Sequence, residues 1–440
     1  MVSQVIFGLL LIAAFAWATT NALKIIQNIR LGKAEHRADR HADRWRQMLL
    51  VAFGQKKMFK RPFPALLHLF VYLGFIIINI ELLEIVIDGL FGTHRVFAGS
   101  GPFYSFLIGA FEWLALAVLV GCVVFLARRN IARLRRFFGV EMTTWPRTDA
   151  NLILIAEIVL MAAFLTMNAA DYKLQSLGVP PYVQAGAFPV SGWLTPVLPE
   201  NTTALIALER GCWWFHIIGV LAFLNYLPYS KHLHILLAFP NTYFANPEPK
   251  GRFTNMDSVT NEVKAMLDPS YVPENAGPPS RFGAKDIQDL TWKHLLDAYT
   301  CTECGRCTSV CPASMTGKLL SPRKIMMDTR DRMVEVGRNT RKNKGFKDDG
   351  KALLDDYISR EEIWACTTCN ACVEACPVSI NPLDIIMELR RYTVMEESQA
   401  PTSLHTMFSN VENNGAPWKY AQADRARWVD GDRGSVIGDR

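Results

Sequence analysis

Charge is scarce in this chain. Only 20% of its 440 residues are Asp, Glu, Lys or Arg, while 50% are hydrophobic. So few charges on so apolar a chain fall outside the usual soluble composition, and the apolar excess lies before about residue 240. No Gly-x-Gly-x-x-Gly and no P-loop run occurs, so nothing points to a nucleotide or dinucleotide site. The net charge of +6 is modest, and its distribution suggests topology, with no nucleic-acid partner. No alternating strand pattern appears in the last two hundred residues, which argues against a small β-rich domain there. The first apolar stretch lacks a basic leader and a convincing small-residue cleavage site, and its positive charges follow it. It reads as a retained helix and not as a signal peptide.

Cysteine is also scarce outside two runs. Eight of ten cysteines fall in Cys301, Cys304, Cys307, Cys311-Pro312 and Cys366, Cys369, Cys372, Cys376-Pro377. Both read C-x2-C-x2-C-x3-C-P, the run that holds [4Fe–4S] clusters in two-cluster ferredoxins. Three thiolates spaced three apart wrap one cluster, and the fourth, leaving the turn at proline, ligates the other. The expected sets are Cys301, Cys304, Cys307 and Cys376 for cluster A, and Cys366, Cys369, Cys372 and Cys311 for cluster B. Zinc is the rival metal, but it favours two separated C-x2-C pairs. Disulfides fit less well, because the cysteines crowd within one turn. The other two, Cys122 and Cys212, read as plain buried thiols. Clusters imply a reducing, cytoplasmic compartment for this half.

Five apolar stretches are long enough to cross a bilayer, at about 5–23, 65–87, 103–126, 152–170 and 204–227. The first and third connections are rich in Lys and Arg, while the second and fourth carry essentially Arg95 and Lys173. The positive-inside rule then predicts a multi-pass protein of the inner (cytoplasmic) membrane with its N-terminus outside and the cysteine domain cytoplasmic. The fourth connection, rich in Pro, Gly and aromatics, reads as an ordered outer cap without chemistry.

Ionisable residues in spans are costly and are candidates for function. His68 lies in the second span and His216 in the fifth, with His232 and His234 just beyond. Histidine is the usual axial ligand of haem in a helical bundle. No Cys-x-x-Cys-His attachment run occurs, so such a haem is b-type. His216 and His234 are eighteen residues apart, five turns of an unbroken helix, which predicts one face and two depths roughly 27 Å apart. His232 replaces His234 if Pro228 kinks that helix. For a lone membrane histidine, a polar interhelical contact is the alternative. Glu81, Glu84, Glu112 and Glu157 also lie in spans. The first three are placed to relay protons from a quinol or to pair between helices. Asn79 shares the face of His68.

The five-span plan and the run Pro228, Lys231, His234, with His216 five turns earlier, resemble the haem b gamma subunit of respiratory nitrate reductase. That resemblance implies an inner haem between His68 and His234. The family's second helix has another histidine ten residues on. Here that position is Ile78, so His216 lacks its partner, and His94 is a speculative substitute.

After a polar linker at 238–284, extended along the inner surface, the spacing predicts helices at 286–298, 323–336 and 351–364, with Ser321 as N-cap and Pro322 at the first helical position. Residues 342–349 read as a charged, solvated loop. The fold expected is all-α: a five-helix transmembrane bundle over 1–237, then an α-helical ferredoxin domain over 285–392. Cys301-Thr-Glu-Cys-Gly-Arg-Cys307 and Ser321-Pro-Arg-Lys-Ile325 resemble the two-cluster ferredoxin-like subunit of heterodisulfide reductase and the helical half of the succinate dehydrogenase iron–sulfur subunit. The tail, 393–440, is too polar for its own core. Its Asn410–Trp418 run and Arg427-Trp428 resemble the segment that joins such a domain to a CCG-motif catalytic domain in membrane-linked heterodisulfide-reductase-like oxidoreductases. No CCG motif occurs here, so the resemblance implies a separate CCG-motif or flavoprotein partner docking on the tail. The reading is an electron-transfer subunit linking the quinone pool, haem b, two [4Fe–4S] clusters and a cytoplasmic partner. A self-contained quinone reductase and an iron–sulfur redox sensor are the alternatives. No catalytic residue is singled out.

Overall fold

The computed structural model describes residues 1–272, 281–426 and 428–429. Among them there is no strand, only two isolated bridges. Five helices are long and apolar enough to cross a membrane: α1 (Val2–Ile29), α3 (Pro62–Phe91), α4 (Pro102–Asn130), α5 (Thr144–Ser176) and α6 (Thr202–Tyr226, with its turn to Tyr229), while α2 (His41–Met48) is a short helix after α1. Each contains the apolar stretch expected from the sequence. Proline opens α3 and α4, where a missing N–H is no loss, and Gly92 closes α3 in the left-handed region.

The chain divides into two units, Met1–Asn255 with Asp286–Ile386, and Met256–Lys285 with Met387–Arg440. In the first unit α3, α4, α5 and α6 pack in succession, and α1 closes the bundle against α3 and α6. Small residues permit these approaches. A Cβ on Gly74 would stand 2.4 Å from Val118 Cγ2, and one on Gly89 2.6 Å from the Phe7 ring. Phe7 then packs on Trp213 with ring centroids 5.4 Å apart.

The fifth helix is not continuous to His234, which overturns the expectation of five unbroken turns. It ends at Tyr226, passes through 3-10 turns at Leu227–Tyr229 and Lys231–Leu233, and restarts as α7 (His234–Tyr243). Pro228 supplies no N–H to continue the ladder. Asp149 holds the break: its carboxylate accepts from Tyr226 Oη, from Ser230 Oγ at 2.6 Å and from Lys231 N at 3.0 Å.

The rest of this unit is the cysteine-bearing domain. Ser321 caps helix Pro322–Asn343 as expected. The expected helix over 351–364 is instead a turn at Leu353–Asp356 and a separate helix, Arg360–Ala365. A capping box of Ser359 and Glu362 starts the second piece, and Asp355 at φ 78° stops the first. The domain lies against the first and third connections of the bundle. Asn28 Nδ2 donates to Tyr299 Oη at 2.6 Å, Lys57 Nζ to Val373 O at 3.3 Å, and Arg323 Nε to Glu141 Oε1 at 2.8 Å.

The linker is less extended than expected. It contains the end of α7 and, in the second unit, helix Asp257–Leu267. Residues 273–280 of it lie outside the described residues. Within the second unit Ala284 N donates to Glu388 O at 3.0 Å. Gly283, at φ 67°, makes that approach possible, since a Cβ there would meet Glu388 O at 2.3 Å. The tail forms helix Thr402–Asn414, followed by Trp418 and Trp428, both exposed. Arg427 and residues 430–440, also part of the expected docking tail, lie outside the described residues.

Candidate functional site

Four cysteines from two runs line one cavity. Cys301, Cys304 and Cys307 share it with Cys376, together with Gly305, Arg306, Arg323, Met326, Pro377 and Ile380. Helix Trp292–Thr300 delivers Cys301 at its C-cap, and Cys376 stands at the C-cap of Ala371–Ala375. Gly305 at φ 69° turns the loop between Cys304 and Cys307, where a Cβ would meet Arg323 Nη1 at 2.6 Å. Burial, then Cys304, Cys301 and Cys376, push the Cys307 thiol well above its usual value. Cys372 answers to the other set: burial, then Cys366 and Cys311, with Cys369 behind, push it up to about 12. Cys376, the fourth cysteine of the second run, therefore lies with the first three of the first run. Among the described residues no three His, Cys, Asp or Glu side chains converge on a single metal ion. Thiolates at the corners of a cubane stand farther apart than those around one zinc.

A second cavity, about 2480 Å³ including its mouth, runs inside the bundle. His68, His216, His232 and His234 all line it, as do Ile78, Asn79 and Glu157, and at its far end Thr302, Glu303, Cys304 and Arg306. Ring centroids of His68 and His234 are 6.4 Å apart. Each lining imidazole of the expected ligand set has its Nδ1 engaged. His68 Nδ1 is 3.1 Å from Gln55 Oε1, His234 Nδ1 3.1 Å from Lys231 O, and His216 Nδ1 3.1 Å from Leu160 O. A proton on Nδ1 leaves Nε2 as a free lone pair. Burial lowers His234 below the usual imidazole range and takes His232 to about 3, so both are neutral.

His94 is not brought to His216. It packs edge-on against Tyr182 and lies 3.6 Å from Asp171, and it does not line the cavity. Among the described residues the ring contact of His216 is with Phe164, at 5.9 Å between centroids, and not with a second histidine. The expected proton relay also divides. Glu84 accepts from Tyr104 Oη at 2.8 Å and Phe97 N at 2.9 Å, and Glu112 accepts from Val190 N at 2.8 Å and Ser191 N at 3.1 Å. These two anchor the connections at the end of the bundle away from the cysteines. Glu81 lies 3.5 Å from Arg95, and of the four span carboxylates only Glu157 lines the cavity.

Sequence reasoning missed Lys231 and Glu303 as a junction. Lys231 ion-pairs with Glu303 and donates to Pro146 O at 2.7 Å, while its own carbonyl faces His234. Burial pushes Glu303 up, but Arg330 and Lys231 outweigh it and hold the carboxyl below its usual range. The only sequence signal was a glutamate inside a cysteine loop.

Residues 300–380 match the family described as 4Fe-4S dicluster domain. This segment is thus similar to 4Fe-4S dicluster domains. The chain is 30% identical over 437 residues to "Probable iron-sulfur-binding oxidoreductase FadF" of Bacillus subtilis, covering 91% of this chain and 57% of that protein. It is 28% identical over 429 residues to "EtfAB:quinone oxidoreductase" of Syntrophomonas wolfei, covering 91% and 56% respectively. Over 107 residues it is 33% identical to a subunit of the ferredoxin:CoB-CoM heterodisulfide reductase of Methanosarcina mazei, 24% of this chain and 52% of that one. The chain thus spans little more than half the length of these curated relatives. No solved structure matches it. The match to the dicluster domain and the ferredoxin-linked relative support iron–sulfur clusters, and the four thiols gathered in one cavity are a donor chemistry that fits them.

Proposed function

We propose that this protein is a membrane-anchored electron-transfer subunit, linking a quinone pool through haem b and two [4Fe–4S] clusters to a cytoplasmic partner. The observation that carries this reading is the single cavity that reaches from His216, past His68 and His234, to Cys304. Haem and clusters, when bound, supply one-electron exchange. The residues of the chain hold and space them. His68 and His234, with ring centroids 6.4 Å apart across the cavity, would hold the haem iron between them. Gln55 and the Lys231 carbonyl would orient those ligands, as outer partners of metal-bound histidines do. His216, with no opposing histidine among the described residues, is the weaker site for a second haem. Cys301, Cys304, Cys307 and Cys376 would hold cluster A, and Cys366, Cys369, Cys372 and Cys311 cluster B.

The basic first and third connections lie on the dicluster side of the bundle, so the positive-inside rule makes that side cytoplasmic. The name of the Syntrophomonas relative, which joins EtfAB to quinone, favours quinone as the membrane partner. The exposed Trp418 and Trp428 suit docking of a CCG-motif or flavoprotein partner. The test is anaerobic addition of a quinol to the purified protein in lipid, followed optically and by EPR. Haem and cluster reduction is expected. A protein without b-type haem, or one whose haem and clusters stay oxidised under quinol and under the reduced partner alike, would overturn the reading.

A further inference from the structure

Along α5 the bundle cavity is faced by Ala150, Ile153, Leu154, Glu157, Leu160 and Met161. Spacings of three and four residues make one helix face, and Glu157 is its single polar side chain. Among the described residues Glu157 makes no hydrogen bond or ion pair. The other span carboxylates differ: Glu84 and Glu112 accept from backbone and tyrosine donors, and Glu81 lies beside Arg95. A carboxylate without a partner inside a span is costly, so it points to function.

His216 stands close by on α6. Its Nδ1 is 3.1 Å from Leu160 O, and Leu160 is one turn on from Glu157 on the same face. The His216 ring is buried and lines the cavity. With Nδ1 donating to the carbonyl, Nε2 is left as an acceptor. The same helix measures the depth of this pair. Asp149 accepts from Lys231 N at 3.0 Å, at the break before His234. At 1.5 Å per residue, Glu157 lies about 12 Å beyond Asp149 and Leu160 about 16 Å. Glu157 and His216 therefore stand deeper in the bundle than the break that carries His234. Val118 and Val220 add to the apolar lining. An apolar cavity with a few polar groups at one place suits a small, mostly apolar ligand.

We infer that this end of the cavity binds the headgroup of a quinol, with Glu157 as its proton acceptor and His216 as the group that holds the ring. The inference rests on the quinone-linked reading above and places the substrate within it. Oxidation of a quinol to a quinone breaks two O–H bonds and releases two protons and two electrons. The electrons leave one at a time for the haem iron between His68 and His234. Glu157 takes the protons one at a time and gives each up to water before the next. His216 Nε2 accepts a hydrogen bond from a quinol hydroxyl and keeps its own protonation throughout. Glu157 is thus the catalytic residue and His216 the binding one.

The test uses the full-length protein in lipid, with two measurements. One is the rate of haem reduction after anaerobic mixing with menadiol. The other is binding of a hydroxyquinoline N-oxide, a quinone analogue, followed by its fluorescence without turnover. In Glu157→Gln the rate is expected to fall about a hundredfold, the usual loss of a general base, while analogue binding stays within about threefold, which separates a chemical role from a structural one. Glu157→Asp should recover part of the rate. In His216→Leu analogue binding should weaken about tenfold, as for one lost hydrogen bond, and His216→Gln, which keeps an acceptor, should lose less. Full development of the haem spectrum by dithionite checks that each variant is folded around the His68–His234 pair, and the conservative Asp and Gln variants carry the comparison where a larger change disturbs it. If Glu157→Gln and His216→Leu both keep the unmodified rate and affinity, the site is wrong. If His216→Leu loses haem from the protein, that end of the cavity holds a second haem and the quinol site is overturned. An unmodified protein whose haem menadiol does not reduce would instead remove the quinone-linked reading itself, before any variant is compared.

Discussion

His68 and His234 face one another across the bundle cavity with ring centroids 6.4 Å apart and planes tilted by 43°. They come from elements separated by well over a hundred residues, and each has its Nδ1 occupied. This arrangement predicts that His68→Ala and His234→Ala each abolish a b-type spectrum after dithionite, with the haem of the unmodified protein extractable into acid acetone. Full haem retention in both variants would show the pairing to be wrong. His216→Ala should spare this haem, and loss of a second, separable potential in it would establish a further site.

The crossed cysteine sets predict about eight iron and eight sulfide per chain. Cys311→Ala should damage the cluster held by Cys366, Cys369 and Cys372, and Cys376→Ala the one held by Cys301, Cys304 and Cys307. Iron and sulfide analysis with EPR of each variant checks this. Zinc without sulfide in anaerobically prepared protein would sink the assignment.

Glu141 and Arg323 latch the third connection to the dicluster domain. Arg323 is 1% exposed, and Glu141 Oε1 accepts from its Nη2 at 2.6 Å and from Ser321 Oγ at 2.6 Å. Glu141→Ala leaves that guanidinium buried and unpaired, a loss on the order of 3–5 kcal/mol. Burial raises the Glu141 carboxyl, but Arg323 and the Ser321 hydroxyl outweigh it and hold the value below normal. A lowered folded value stabilises above the ordinary glutamate value of about 4.3 and loses that contribution as pH falls through the folded value. Proteolysis between the bundle and the dicluster domain should therefore accelerate in the variant at neutral pH. In the unmodified protein it should do so only in acid, and an unchanged rate in the variant would dismiss the latch.

Gly32→Ala should loosen the contact between the first connection and helix Trp292–Thr300. A Cβ there would stand 2.7 Å from Thr291 C and Trp292 N, backbone atoms that cannot turn aside. The strap it interrupts has Lys33 N donating to Leu290 O at 2.7 Å and Trp292 N to Lys33 O at 3.1 Å. Overpacking of this kind costs about 1–3 kcal/mol. A lower thermal midpoint, with cluster content retained at low temperature, is the expected result.

What the sequence by itself determined is local. The two cysteine runs, the five apolar spans, the Ser321-Pro322 helix start and the uneven basic loops are each written within a short window, where spacing and composition speak directly. The tertiary structure decided what depends on pairing across distance. It broke the fifth helix at Pro228, where Asp149 captures the freed turn, so His216 and His234 do not share one rod. It placed Glu84 and Glu112 on backbone and tyrosine donors, away from the cavity, and left His94 beside Tyr182. It split residues 351–364, because a capping box at Ser359 outcompetes helix continuity. Lys57, Arg136 and Lys231 looked like ordinary basic loop residues by any count of charge. Only folding shows that these cations stand within electrostatic reach of cysteine loops that lie more than seventy residues further along the chain.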